Sequence, residues 1–291
     1  MSAAEPALRS LQSISTSSRR AERLVRILDL LAIKHEMSIA ELCRRLSVSP
    51  ATLRRDMSDL QQQGLVARTR GGARAAAGEE IPIRLRDIQR PLAKRAIAIL
   101  AAELLPVGRH LAVAIGGGST TADVARQLTC RRHLTIVTNA LTTAFEVASH
   151  PNLQVIMTGG IVRSSSFELV GGLADNAFNG IHVNIAILGA DGVTAEHGVT
   201  TYDHTEARTN NAMVTHAQRL MVVADGSKIG RVTLAKVAEA SAIHDLVTDD
   251  SANPAELARL SALGVNIQIA HVQNEESAVP SAIHLSPQLS Y

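Results

Sequence analysis

The sequence predicts an α/β chain in two parts, a small helical unit at the N-terminus and a larger unit on a mostly parallel sheet. Three observations predict it. Three stretches with helical apolar spacing come first and end in a Gly- and Arg-rich turn sequence. Seven short apolar runs then alternate with helical stretches, the pattern of successive βαβ units. Charge divides near the same boundary: residues 1–78 hold 13 Lys and Arg against 7 Asp and Glu, net +6, and residues 79–291 hold 16 against 20, net −4.

Residues 1–18, rich in Ser and Ala, read as a flexible arm. Leu24, Ile27, Leu28 and Leu31 then fall at i, i+3, i+4 and i+7. Ile39, Leu42, Cys43 and Leu46 repeat that spacing, with Ser38 and Glu41 placed as a capping box. The third helix opens at Ser49-Pro50, a cap followed by proline at the first helical position, and Gly64 ends it. Residues 65–74 read as a short hairpin, the wing of a winged helix-turn-helix. On a helical wheel Leu53, Met57 and Leu60 share one side. Ala51, Arg55 and Ser58 lie opposite, flanked by Arg54 and Thr52, while Asp56 falls nearer the buried side and reads as a structural partner for an arginine.

That outer face suits the major groove. Arginine can grip guanine in bidentate fashion, and the hydroxyls of Ser49, Thr52 and Ser58 can take phosphates or base edges. Arg68, Arg70 and Arg74 on the wing can hold the DNA backbone. The net charge of the N-terminal third suits a polyanion. Spacing alone also allows a three-helix interaction module with a solvated basic face.

The residues themselves carry a resemblance. The run Ser49-Pro50-Ala51-Thr52-Leu53-Arg54-Arg55-Asp56-Met57, preceded by Arg23-Leu24-Val25-Arg26-Ile27-Leu28, resembles the helix-turn-helix signature of the deoxyribose-operon-repressor (DeoR) family. Gly64 to Ala73 resembles that family's wing. The resemblance implies double-stranded operator DNA as partner, with Thr52, Arg54 and Arg55 on the recognition helix.

Beyond a linker over 75–90, residues 92–105 read as a long apolar helix. Buried parallel strands are expected at 110–115, 134–138, 153–158, 183–188, 219–224, 243–248 and 265–270. Helices are expected near 121–129, 141–150, 204–218 and 254–263. Ligands of such a Rossmann-like sheet bind beyond the carboxyl ends of its strands. The first strand ends in Gly116-Gly117-Gly118-Ser119-Thr120-Thr121 and then a helix, where backbone N–H groups and hydroxyls can hold an anion. Taken alone, that loop is equally a plain capped turn. Further strand ends carry Thr138-Asn139, Thr158-Gly159-Gly160 with Arg163, Gly189-Ala190-Asp191-Gly192 and Asp225-Gly226-Ser227-Lys228. Five polar loops on one edge exceed what turn chemistry requires.

These loops resemble the sensor domain of the same family, which looks like the sugar-phosphate isomerase fold of ribose-5-phosphate isomerase. The resemblance implies that Gly117, Gly118, Ser119, Thr120 and Thr121 receive a phosphate, with Asn139, Gly160 and Arg163 close by. Asp191, Asp225 and Lys228 would face the polyol end. The sequence departs from the family at Gly116, where Asp is usual, and at Asn210 and Asn211, in a stretch where Lys is common. An isomerase would need an aspartate at Leu188 as well as Asp191, which points to binding without chemistry.

The 291 residues suit two domains, 19–74 and 91–271, with a tail over 272–291 rich in Ser, Gln and Pro. With 46% apolar residues, a packed core is expected. No run approaches a membrane helix and no signal pattern opens the chain, so a cytoplasmic protein without a membrane role is expected. Cys43 and Cys130 lie far apart in sequence and read as small buried or half-buried hydrophobes. His197, His204 and His216 lack metal-site spacing, so no metal or cofactor is expected. The expected function is a ligand-controlled repressor of sugar or polyol catabolism, acting as a homo-oligomer on paired half-sites. An isomerase with a DNA-binding appendage and a purely oligomerising scaffold are the alternatives.

Overall fold

A computed structural model describes residues 18–34, 36–76, 80–108 and 110–272. Most of the expected arm and residues 273–291 of the expected tail lie outside them. The N-terminal unit runs α1 (Ser18–Lys34), β1 (Glu36–Ser38), α2 (Ile39–Leu46), α3 (Pro50–Gln62), β2 (Val66–Thr69) and β3 (Gly72–Ala75). Ser38 caps α2 by accepting from the Glu41 N–H at 3.1 Å, and Ser49 caps α3 by accepting from the Thr52 N–H at 3.2 Å. Leu24, Ile27, Leu28, Leu31, Leu42, Leu53, Met57 and Leu60 meet in one core. Asp56 is buried beneath α3 and paired with Arg20 and Arg23 of α1, at 3.2 Å and 2.5 Å. The wing is three-stranded, in the order β1-β3-β2. A side chain at Gly72 would sit 2.3 Å from the Met37 carbonyl oxygen, so the close approach of β1 to β3 requires glycine there.

The segment expected as a linker is not a bare connection. It carries a helical turn, α4 (Ile83–Arg86), whose residues divide between the two units. Leu85, with Ile81 and Ile88, packs into the winged-helix core. The Ile83 N–H donates to the Ser165 carbonyl at 2.8 Å, and Arg84 lies over the Phe167 ring at 5.2 Å. Its pattern is irregular because each residue answers to a different neighbour.

The C-terminal unit is a seven-stranded sheet flanked by helices. In chain order it runs α5 (Pro91–Glu103), β4 (Leu111–Ile115), α6 (Ser119–Gln127), β5 (Leu134–Thr138), α7 (Leu141–Val147), β6 (Leu153–Met157), β7 (Ile161–Arg163), β8 (Glu168–Val170) and α8 (Gly172–Ala177). It continues β9 (Val183–Leu188), β10 (Gly192–Thr194), β11 (Gly198–Thr201), α9 (His204–Thr215), β12 (Ala217–Val223), β13 (Ala235–Ala238), β14 (Asp245–Asp249), α10 (Pro254–Ala262) and β15 (Asn266–Ala270). The sheet order is β15-β14-β12-β9-β4-β5-β6, every neighbour parallel. All seven expected strands are therefore in one sheet, and apolar clusters cover both of its faces.

Connections leave β4 in one direction, through β5 to β6. The chain then returns to place β9 on the other side of β4. The crevice between β4 and β9 is the switch point at which such sheets bind ligands. Two small antiparallel pieces, β7-β8 and β10-β11-β13, rise at that end and were not expected from the pattern. Cys43 is half-buried, but Cys130 is exposed in a single turn after α6 rather than packed. No helix among the described residues is long and apolar enough to cross a membrane.

Candidate functional site

Two sites take shape, one on each unit. On α3, Ala51, Arg54 and Arg55 are exposed and Thr52 and Ser58 half-exposed, while Leu53, Met57 and Leu60 are buried. Ser49 is exposed, yet its hydroxyl is engaged with the Thr52 N–H and lies 3.0 Å from the Thr52 hydroxyl. Arg68, Arg70 and Arg74 are exposed on the wing. Five exposed arginines, two on α3 and three on the wing, make this face cationic.

The second site is a cavity of about 640 Å³ at the β4–β9 switch point. Its wall begins with Gly117, Gly118, Ser119 and Thr120, at the start of α6. Gly118 has φ 122°, a conformation that favours glycine. A side chain at Gly117 would collide with Glu168, which accepts from the Gly117 N–H at 3.1 Å. No side chain among the described residues caps the first turn of α6, and Gly118, Ser119 and Thr120 line the cavity at the positive end of the helix dipole.

Opposite stand charged side chains from several elements. Lys94 of α5 is buried and donates to the Arg86 carbonyl oxygen. Arg86 reaches Glu80 at 2.9 Å and Asp191 at 3.4 Å. Lys228 lies 3.9 Å from Asp191, and Arg90 lies 3.6 Å from Asp225. The Thr201 hydroxyl is 3.0 Å from Asp191 and 2.6 Å from Glu206.

Burial sets the charge state of this group. It pushes Lys94 down to about 8 and lowers Lys228 as well, against the attraction of nearby carboxylates. Burial, then the charges of Glu168 and Asp191, push Glu206 well above the carboxylate range. The Thr201 hydroxyl proton is within reach of both carboxyls and so links Asp191 to Glu206. Five Lys or Arg and five Asp or Glu side chains line the cavity among the described residues.

Of the residues expected at this site, Gly117, Gly118, Ser119, Thr120, Asp191, Asp225 and Lys228 line the cavity. Thr121, Asn139, Gly160 and Arg163 stand behind its wall. The Thr121 hydroxyl donates to the Gly118 carbonyl at 2.9 Å and holds the loop. Asn139 is fully buried, donating to Glu168 and to the Leu169 carbonyl. Gly160 lets the chain pass the Val170 backbone, where a Cβ would lie 2.9 Å from the carbonyl oxygen. Arg163 is held by Glu80 and by Glu206, the latter at 2.7 Å. Lys94, Arg86, Glu168 and Glu206 had no signal in the pattern. Lys94 sits in an apolar helix, Arg86 in an irregular segment, Glu168 in a three-residue strand and Glu206 in the first turn of α9, where no local spacing marks it as buried.

The departures at Gly116, Leu188 and Asn210 prove to be neighbours. A Cβ at Gly116 would lie 2.7 Å from the Leu188 side chain and 3.6 Å from Asn210 Oδ1. Asn210 is buried on the cavity wall, and its Oδ1 has no partner among the described residues. Arg86 Nε, also on the wall, has none either.

Comparison with known proteins follows the same division. Residues 23–78 match the DeoR-like helix-turn-helix domain, and residues 89–250 match the DeoR C terminal sensor domain. The HTH-type transcriptional regulator GolR of Listeria innocua is 33% identical over 251 residues, covering 86% of this chain and 98% of that protein. HTH-type transcriptional regulator GlpR of Haloferax volcanii is 32% identical over 249 residues, 85% and 96% of the two chains. The glycerol-3-phosphate regulon repressor of Escherichia coli is 30% identical over 232 residues, 79% and 91%. Among solved structures, ribose 5-phosphate isomerase A of Methanocaldococcus jannaschii matches with a TM-score of 0.35 and 18% identity, over 47% of this chain and 53% of that one.

The charge on Lys94 has a measurable cost. Its ordinary value is 10.5 and its folded value about 8, so the unfolded chain binds the proton more tightly across that window. The penalty is complete below about pH 8 and is relieved as pH rises towards 10.5. Relative to Lys94→Met, the wild type should gain up to about 3 kcal/mol of stability between pH 8 and 10.5. Denaturant unfolding at both ends of the window measures it; parallel curves for the two proteins would mean that Lys94 titrates normally.

Proposed function

The chain belongs to the DeoR family of transcription regulators, and we propose that it represses a sugar or polyol catabolic operon in the cytoplasm under control of a phosphorylated sugar or polyol. The observation that carries the ligand class is the uncapped start of α6 at Gly118 and Ser119, opening into a cavity that also holds Lys94 and Lys228. A phosphate there accepts several charge-assisted hydrogen bonds and meets the favourable end of the helix dipole. It also offsets the penalty of keeping Lys94 charged. The rest of the wall suits hydroxyl groups: Asn210 Oδ1 is an acceptor without a donor, and Arg86 Nε a donor without an acceptor. Relatives at 30% identity or more include a glycerol-3-phosphate regulon repressor, which is consistent with a small phosphorylated ligand here.

On DNA, Arg54 and Arg55 read bases, Thr52, Ser58 and Ala51 adjoin them, and Ser49 fixes the start of the helix. Arg68, Arg70 and Arg74 hold the backbone. One winged helix spans too few base pairs for a genomic site, so the active species is a homo-oligomer joined through the sensor domain. Phe145, Ile161 and Val162 support this reading, since they stand 84%, 73% and 52% exposed on elements next to the edge strand β6. Light scattering at micromolar concentration should give a multiple of 30.9 kDa, and a monomer with and without DNA would exclude the arrangement.

Two substitutions test the reading on its two faces. Arg55→Ala should lower affinity for an operator selected from random duplexes by about 1–3 kcal/mol, with little effect on random DNA. Equal affinity of wild type and variant for the operator would move base reading away from α3. Ser119→Asp places a carboxylate where the phosphate would sit. It should abolish the response of DNA binding to sugar phosphates while leaving ligand-free DNA binding intact. A variant that still responds as wild type would place the phosphate elsewhere.

A further inference from the structure

The winged helix is itself part of the effector cavity. Leu28 and Asp29 of α1 line its mouth, beside Gln89, Arg90 and Lys94. The Gln89 side-chain amide donates to the Asp29 carboxylate at 2.9 Å. Burial raises the Asp29 carboxyl above its ordinary value; the Gln89 hydrogen bond and the charges of Arg90 and Lys94 oppose that rise, and Asp225 adds to it. Asp29 sits in the middle of α1, so its position is the position of the DNA-binding unit. The segment behind it is tied to both sides: Leu85 and Ile88 pack into the winged-helix core, while Arg86 enters the cavity to pair with Asp191.

We propose that Asp29 is the internal competitor of the effector's phosphate for Arg90 and Lys94, so that anion binding undocks the winged helix from the cavity mouth. The inference rests on the phosphate reading of the cavity. The charge argument is direct. Without ligand, the Asp29 carboxylate is held at the rim by Gln89 and shares the cavity lining with Arg90 and Lys94, with no ion pair to either among the described residues. A phosphate dianion neutralises those cations and faces Asp29 with charge of its own sign, turning attraction into repulsion. Because Asp29 is solvent-accessible, the exchange is modest, of the size that allosteric coupling uses. The Gln89 hydrogen bond alone then holds the rim, and a loosened α1 carries its recognition helix out of half-site register. Ligand binding therefore releases DNA.

Hydrogen exchange on the full-length protein tests this with inorganic phosphate as probe, against chloride at equal ionic strength. In the wild type, phosphate should slow exchange at residues 117–121 and speed it in residues 85–90 and in α1 by about threefold or more. Asp29→Asn keeps the hydrogen-bonding shape and removes the charge. It should bind phosphate about two- to fivefold more tightly and lose the acceleration at 85–90. Protection of 117–121 without any change in α1 would overturn the coupling and leave the phosphate site standing. The same acceleration in Asp29→Asn as in wild type would also overturn it. No protection of 117–121 in either protein would overturn the coupling together with the phosphate reading.

Discussion

A guanidinium with 14% of its side chain exposed, placed where two domains meet, has to be paired, and Arg86 is paired on both flanks. Glu80 and Asp191 offset the cost of burying it, and breaking such a pair from one side costs about 3–5 kcal/mol where burial is complete. The rest of the arrangement depends on this constraint. Asp191 keeps its place because Thr201 and Lys228 also serve it. Glu206 is pushed upward by burial and then by the charges of Glu168 and Asp191, and keeps a hydrogen bond to Thr201. Glu80 in turn holds Arg163, which braces Glu206 from behind. Chain continuity does the rest: Leu85 lies beside Arg86, so satisfying the guanidinium also positions a residue of the winged-helix core.

The sheet decides where this network can stand. Seven parallel strands bring their carboxyl ends to one edge, and the reversal between β4 and β9 opens a gap only there. The loop after β4 fills the floor of the gap with backbone rather than side chains. Glu168 leaves no room for a Cβ at Gly117, and the positive φ of Gly118 turns the chain into α6. A binding surface of backbone N–H groups is hard and fixed, as recognition of a phosphate requires. Side chains that distinguish one ligand from another come from α4, α5, α9 and the loops, which vary independently of the sheet.

The elements with strong local periodicity were legible in the sequence. The spacing Leu53, Met57, Leu60 under an Arg-bearing face can only be satisfied by an amphipathic helix, and the seven apolar runs by buried strands. What escaped was set by distant partners. β1 is three residues long and exists because Gly72 admits it beside β3. β7, β8, β10 and β11 are three or four residues each, too short to show an alternation. Lys94 lies in a helix whose neighbours Ala93, Ile97, Ala98 and Ala101 are buried, and nothing local distinguishes an inward lysine from a solvated one. The strand-end motifs located the cavity but not its lining. Asn139 and Gly160 sit at strand ends too, yet face β8 rather than the gap.

Two departures from the family pattern, at Gly116 and Asn210, and the departure from the isomerase pattern at Leu188 form one cluster behind the loop that opens α6. A Cβ at Gly116 would lie 3.6 Å from Asn210 Oδ1, so the apolar Leu188 and a neutral amide whose oxygen lacks a partner among the described residues meet at one point. Such a wall discriminates by shape and by a single hydrogen bond, and a site that buries an unpaired acceptor rejects ligands that fail to supply the donor.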